Sequence, residues 1–174
     1  KKFKAKNIIR ITSDCPLIDI YTLRRMINLQ IKNSYDYLAN TYPLPCRFPD
    51  GSDIEIFKFR TLAYTFKKAF LPSDKEHVTK YMSNYEKFNK KKINLKDDFS
   101  NYRYTIDTKN DFILFCKIID HFGWKKLLNL KIKDLINFID KNKKLIKYQK
   151  NIKRNFGWKS SLEKDKIYLN ETKS

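Results

Sequence analysis

Glycine is scarce in this chain. Three residues, Gly51, Gly123 and Gly157, stand among 174. None lies between a strand pattern and a helix pattern, where a phosphate-cradling loop needs one. A glycine-rich phosphate loop within the chain is thereby excluded. Cysteine is nearly as rare. Cys15, Cys46 and Cys116 are odd in number and lack metal-type spacing, which argues against a disulfide framework or a zinc site and for reduced thiols in a cytoplasm. No apolar run reaches the roughly 18 residues of a membrane span. A secretory signal is not visible either, because the basic residues 1–6 lead into a short strand pattern. The chain opens on Lys1 rather than Met, as a fragment or incomplete reading frame would. No internal repeat is apparent.

Lysine, isoleucine and asparagine are abundant instead: 31 Lys against 7 Arg, 20 Ile and 15 Asn, with only 4 Ala. An AT-rich coding sequence produces this skew. The formal charge of +19 invites a nucleic-acid reading. The lysines, however, are spread over every segment, whereas a nucleic-acid groove clusters arginine with aromatics. Weak, salt-sensitive binding to polyanions is the expectation. With 41% hydrophobic residues, the chain is long enough for one domain with a real core.

Strand patterns alternate with helical ones. Ile8, Ile9 and Ile11 predict a buried strand over 7–12. Asp19 predicts the cap of a helix over 20–32, with Ile20, Leu23, Ile27 and Ile31 on one face. A short strand at 35–39 precedes a loop over 40–51 that holds Pro43, Pro45, Pro49 and Asp50-Gly51. Residues 53–59 alternate as a half-buried strand. Leu62, Ala63, Phe66, Ala69 and Phe70 form a helical stripe. A short helix over 76–82 and strands over 92–95 and 102–106 follow. Thr108 and Asp111 match a capping box, opening an apolar helix that Gly123 ends. Leu128, Ile132, Leu135, Ile136 and Ile139 define another helix. After Asn142 the chain turns polar and Lys-rich. The expected organisation is one α/β domain over 1–142, with a mostly parallel mixed sheet, and a basic peripheral tail over 143–174.

Two acidic turns stand out. Residues 11–19, Ile-Thr-Ser-Asp-Cys-Pro-Leu-Ile-Asp, and 104–112, Tyr-Thr-Ile-Asp-Thr-Lys-Asn-Asp-Phe, each end a strand pattern in an aspartate, Asp14 or Asp107. Open α/β sheets build sites beyond the carboxyl ends of their strands. Two carboxylates there can hold a divalent cation against phosphates. Either aspartate alone could simply cap backbone amides.

Residues 10–19, Arg-Ile-Thr-Ser-Asp-Cys-Pro-Leu-Ile-Asp, resemble the Arg-(Val/Ile)-Thr-x-Asp-Cys-Pro-Leu-(Ile/Thr)-Asp-Pro motif of the cytidylyltransferases typified by the spore-coat polysaccharide biosynthesis protein SpsF, a group similar to the acylneuraminate cytidylyltransferases. Further matches follow in order. They are Tyr37-Leu-Ala-Asn40 with Thr41-Tyr-Pro43, Gly51-Ser-Asp-Ile-Glu-Ile-Phe57, Glu76-His-Val-Thr79 with Tyr81, and Tyr102-Arg-Tyr-Thr-Ile-Asp-Thr108 with Asp111-Phe112. Residues 152–155 and 161–165 also look familiar from this group. Two departures are Ile20, where proline is usual, and a longer 41–51 loop. The family's opening glycine- and arginine-bearing nucleotide loop has no counterpart before Asn7.

The resemblance implies an amino-terminally truncated, Rossmann-like nucleotide-diphospho-sugar transferase (GT-A type) fold, inactive as it stands. It implies CMP transfer from CTP to a sugar or sugar acid for surface polysaccharide biosynthesis, with pyrophosphate as leaving group, and a homodimeric habit. Asp14 and Asp107 correspond to the family's Mg²⁺-binding, catalytic aspartates. Arg10 and Arg103 flank them, for phosphate or carboxylate contact or as structural ion pairs. Asp53 and Glu55 share a strand face, lining an acceptor pocket or pairing with Lys58 or Arg60. Glu76 and His77 fall in an acceptor-side motif. Trp124 and Trp158 read as packing residues. The other reading is a non-enzymatic binding module that keeps the fold without the nucleotide loop.

Overall fold

The computed structural model describes residues 3–146, 154 and 156–172, the side chains of 143, 146 and 156–159 excepted. Residues 147–153 and 155, and with them part of the motif at 152–155, lie outside the described residues, as does the Trp158 side chain.

Four strands form one mixed sheet: β1 (Asn7–Arg10), β2 (Tyr37–Ala39), β3 (Glu55–Lys58) and β4 (Lys90–Lys92), in the order β1-β3-β2-β4. β3 runs antiparallel to both β1 and β2, and only β2 and β4 are parallel. The expected mostly parallel sheet is therefore corrected: the long 40–54 connection lets the chain return as an antiparallel neighbour of β2.

Alternation along β2 and β3 builds two cores. On one face Leu38, Ile54 and Ile56 pack with Met26 of α1 (Ile20–Asn33) and with Ile132 and Ile136 of α7 (Ile132–Lys141). On the other, Tyr37, Ala39 and Phe57 meet Leu62 of α2 (Phe59–Lys68) and Met82 of α4 (Lys80–Asn84). A third cluster joins Tyr104 to Leu114 and Ile118 of α5 (Lys109–Phe122) and to Leu135 and Ile139 of α7. Helices thus cover both sheet faces. No described helix is long and apolar enough to cross a membrane.

Both capping signals form caps. Asp19 accepts from the Thr22 amide at 2.9 Å, and Thr108 with Asp111 forms a complete capping box for α5. Several faces differ from the expectation. β1 is an edge strand, and Ile9 and Ile11 are exposed. Helix α1 buries Thr22, Met26 and Gln30 while Ile31 is 73% exposed. Helix α2 buries Thr61 and Thr65 and leaves Phe66 86% exposed. α2 follows β3 without a linker, so the strand's orientation fixes the helix phase over its apolar stripe. Trp124 is exposed, edge-on to Phe115. The single helix read over 76–82 is two, α3 (Pro72–His77) and α4, broken where Val78 takes φ 56°. Residues 102–106 are extended but pair only at the Asp50–Arg103 bridge.

The remaining helices are α6 (Trp124–Leu127), α8 (Lys143–Ile146) and α9 (Phe156–Glu171). Within the stretch read as a tail, α9 packs against α3.

Candidate active site

Two hydrogen bonds to one backbone carbonyl bring the acidic turns together. The Asp14 carbonyl accepts the Ile106 amide at 2.8 Å and the Thr105 hydroxyl at 3.0 Å. The 102–106 segment is held from its other side by Asp50, whose amide donates to the Tyr102 carbonyl and whose carbonyl accepts the Tyr104 amide. Gly51 makes this close approach possible. It sits at φ +95°, and a Cβ there would come within 2.8 Å of the Tyr104 and Thr105 backbone.

The result is a cavity of about 270 Å³. Seven of the eight residues singled out from sequence line it: Arg10, Asp14, Asp53, Glu55, His77, Arg103 and Asp107. Glu76 does not. It points outward to Lys164, 3.2 Å away on α9, because residues 76 and 77 lie about 100° apart around a helix.

Charge is densely compensated in the cavity wall. The β1–β3 register sets Arg10 opposite Glu55, and their side chains meet at 2.5 Å. The Tyr37 hydroxyl, diagonal on β2, donates to the other Glu55 oxygen. Burial, then the Glu55 charge, pushes the Tyr37 phenol well above its usual range, so it stays a donor. Of the two alternatives for Glu55, pairing with Lys58 or Arg60 is not what forms; both of those cations hold Asp36. Arg103 is buried between Asp50 at 2.6 Å, Asp107 and Asp111. Burial works against its charge, but the carboxylates outweigh it and hold the guanidinium above its ordinary value. Burial also raises the Asp50 carboxyl despite Arg154 and Arg103 beside it.

Cys15 hydrogen-bonds weakly to Asp14 and Asp53, and Thr12 donates to its sulfur. Burial and then the Asp53 charge push its thiol up to about 12. It is therefore a neutral packing group at pH 7 and no nucleophile. His77 is held below its usual range, first by burial, so its imidazole is neutral at pH 7.

Sequence reasoning missed several wall residues. Lys80 sits at an unassigned position inside the quoted 76–81 motif. Thr105 lies within the second acidic turn but lacks a charge to draw notice. Arg154 falls in the familiar 152–155 stretch; it donates to the Phe48 carbonyl at 2.8 Å and faces Asp50 and Asp53 at 3.8 and 3.7 Å. In all, five carboxylates and four cations line the cavity: Asp14, Asp50, Asp53, Glu55 and Asp107 against Arg10, Lys80, Arg103 and Arg154. In a protein of +19, this hollow is not positive. A bare triphosphate gains little from it, whereas a phosphate group arriving with a cation fits its balance.

No family model matches the chain. It is 33% identical over 170 residues to the uncharacterized protein MJ1063 of Methanocaldococcus jannaschii, an alignment covering 94% of this chain and 63% of that protein. Its fold superposes with a TM-score of 0.76 on a cytidylyltransferase from Leptospira borgpetersenii serovar Hardjo-bovis, at 34% identity, over 87% of this chain and 62% of that one. The chain thus spans a little over three fifths of each relative's length. In sequence and in fold it is similar to a cytidylyltransferase.

Proposed function

We propose that the cavity serves nucleotidyl transfer: CMP passes from CTP to a hydroxyl of a sugar or sugar acid, for surface polysaccharide synthesis in the cytoplasm. The new bond joins the acceptor oxygen to the α-phosphorus, the bond from that phosphorus to the bridging oxygen breaks, and pyrophosphate leaves. On this reading the fold is of the GT-A type and the chain is of the SpsF group. The observation that carries it is the convergence of seven sequence-selected residues on one cavity, supported by the likeness to a cytidylyltransferase.

Such transfer depends on positioning and charge neutralisation more than on covalent help from the protein. Asp14 and Asp107 offer hard oxygen donors suited to Mg²⁺. Asp107 gives one oxygen to Arg103 but keeps its side chain half exposed. Among the described residues, the Asp14 carboxylate accepts only a long hydrogen bond from Thr105, at 3.4 Å, and a weak one from the Cys15 thiol. Among the described residues no three His, Cys, Asp or Glu side chains gather round one point, so substrate phosphates and water would complete the shell, as they commonly do for this ion. When bound, Mg²⁺ would neutralise charge developing on the phosphates. Arg103 orients Asp107 and the Thr105 hydroxyl orients Asp14. Neutral His77 can hydrogen-bond an acceptor hydroxyl or carboxylate. Asp53 and Glu55 offer acceptor oxygens to sugar hydroxyls.

One observation favours a second reading, a binding module without chemistry. Each of the four cations lining the cavity is already ion-paired within the chain. Pyrophosphate release from CTP across a panel of neutral and acidic sugars separates the readings. The chain as it stands is expected at background, since its glycines form no phosphate loop. The protein extended to the length of its relatives is expected to turn over one acceptor class. Binding of an acceptor without any release from the extended protein would support the module instead.

A further inference from the structure

Where its side chains are described, from residue 160 onward, helix α9 meets the body of the protein through polar groups. Its buried residues, among the described side chains, are Ser161 and Asp165, both polar, whereas Leu162, Ile167 and Leu169 are exposed. Four residues apart, the two buried side chains share one face of the helix. Ser161 Oγ lies 2.9 Å from His77 Nε2. Asp165 accepts the Ser73 amide at 2.9 Å through Oδ1, and the Ser73 hydroxyl and Lys80 Nζ through Oδ2, the latter at 3.1 Å. Lys80 donates to Ser73 Oγ as well, with Asp74 at 3.7 Å. His77 and Lys80 line the cavity; Ser161, Asp165 and Ser73 stand behind them.

An apolar stripe tolerates sliding and rotation of a helix, because the hydrophobic effect has no direction. Hydrogen bonds between buried charged and polar groups tolerate little of either. Two buried polar side chains on the described part of α9 therefore fix the groups they touch. We infer that α9 is a positioning element for the cavity wall, with Ser161 orienting the His77 ring and Asp165, together with Ser73, holding the Lys80 ammonium in place. Ser161 and Asp165 are positioning residues that act through His77 and Lys80. The inference rests on the proposed function only in taking this wall as the acceptor side.

The test begins without any assay of activity. The chain has two histidines, His77 and His121, so its ring signals can be followed by NMR during a pH titration and assigned with His77→Gln. The charges around His77 are Glu76 on α3, Lys80 on α4, Arg10 on β1 and Asp165 on α9. Ser161→Ala removes none of these charges, but the Ser161 hydroxyl also bonds Glu76, so the substitution is compared in the parent and in a Glu76→Gln background, where a change reports the hydroxyl contact to His77. Ser161→Ala is expected to move the His77 midpoint by about half a unit, while Ser161→Thr, which keeps the hydroxyl, stays close to the parent. A folded Ser161→Ala whose His77 titration superimposes on the parent overturns the inference. Should Ser161→Ala fail to fold, Ser161→Cys, which replaces the hydroxyl with a much weaker hydrogen-bonding thiol, decides: a displaced midpoint supports the hydroxyl contact and a parent-like one overturns it. In the protein extended to its relatives' length, Asp165→Asn is expected to raise the acceptor KM roughly tenfold with the CTP KM unchanged. Equal changes in both, or a lower Tm alone, would mark Asp165 as purely structural. If no variant or parent shows turnover, the proposed function fails while the NMR result still decides the inference.

Discussion

Gly51 shows how a single missing Cβ shapes the site. At φ +95°, against the Tyr104 and Thr105 backbone, alanine would add conformational strain to a clash that no side-chain rotation relieves. Gly51→Ala is expected to cost more than about 2 kcal/mol, read as a lower denaturation midpoint, and to loosen Asp50 from Arg103. His77 yields a pH dependence with a definite sign. Its unfolded value lies near 6.5 and burial holds the folded value lower. Between the two, the unfolded chain binds more protons. The contribution is therefore fully present above 6.5 and is lost as pH falls towards the folded value. Tm should drop more steeply in the parent than in His77→Gln between roughly pH 7 and pH 5; parallel curves would contradict the burial argument. At this scale, Asp14 and Asp107 were legible because a strand pattern ending in a capped turn is a local signal. Glu76 misled because adjacency in a motif says nothing about which side of a helix a residue faces. Arg154 and Lys80 were unreadable as wall residues, since their places depend on contacts to Asp50 and Asp165, about a hundred positions away in the first case.

Helix caps are the elements the sequence specifies most directly. Thr108 accepts the Asp111 amide, and the Asp111 carboxylate accepts from the amides of Asp107 and Thr108. The same carboxylate meets Arg103, so the cap is also a brace for the second acidic turn. Thr108→Ala is expected to cost about 1 kcal/mol by denaturant melt, and to lower activity of the extended protein further than stability alone explains. Helix phase was less legible than helix existence. Counting apolar residues places Phe66 on the helical stripe, whereas the structure leaves it exposed and buries Thr61 and Thr65. The hydrophobic pattern of α2 competes with a covalent constraint, the direct junction with β3, and the junction prevails. Strand direction was likewise hidden. β3 looked like any other alternating run, and only its pairing with β1 and β2 reveals that it runs against them.

Across the whole molecule, charge and site point in different directions. The chain carries a formal charge of +19, yet the cavity holds five carboxylates and four cations. DNA or RNA is therefore expected to bind weakly, without sequence preference, and to dissociate at physiological salt; selective binding surviving at about 150 mM salt, near 10⁻⁸ M, would contradict this. On the proposed reading, the cavity's balance suits a metal-bearing phosphate substrate, and the two acidic turns are the part of it that would hold the metal. The central claim is thus that Asp14 and Asp107 support CMP transfer. Its most direct measurement is mass spectrometry of the product formed from CTP, Mg²⁺ and the acceptor panel by the protein extended to its relatives' length, compared with its Asp14→Asn and Asp107→Asn variants. A CMP–acceptor conjugate from the parent, reduced by about a hundredfold or more in each folded variant, is the expected result. No conjugate with any acceptor, or undiminished conjugate in either variant at limiting Mg²⁺, would contradict the account.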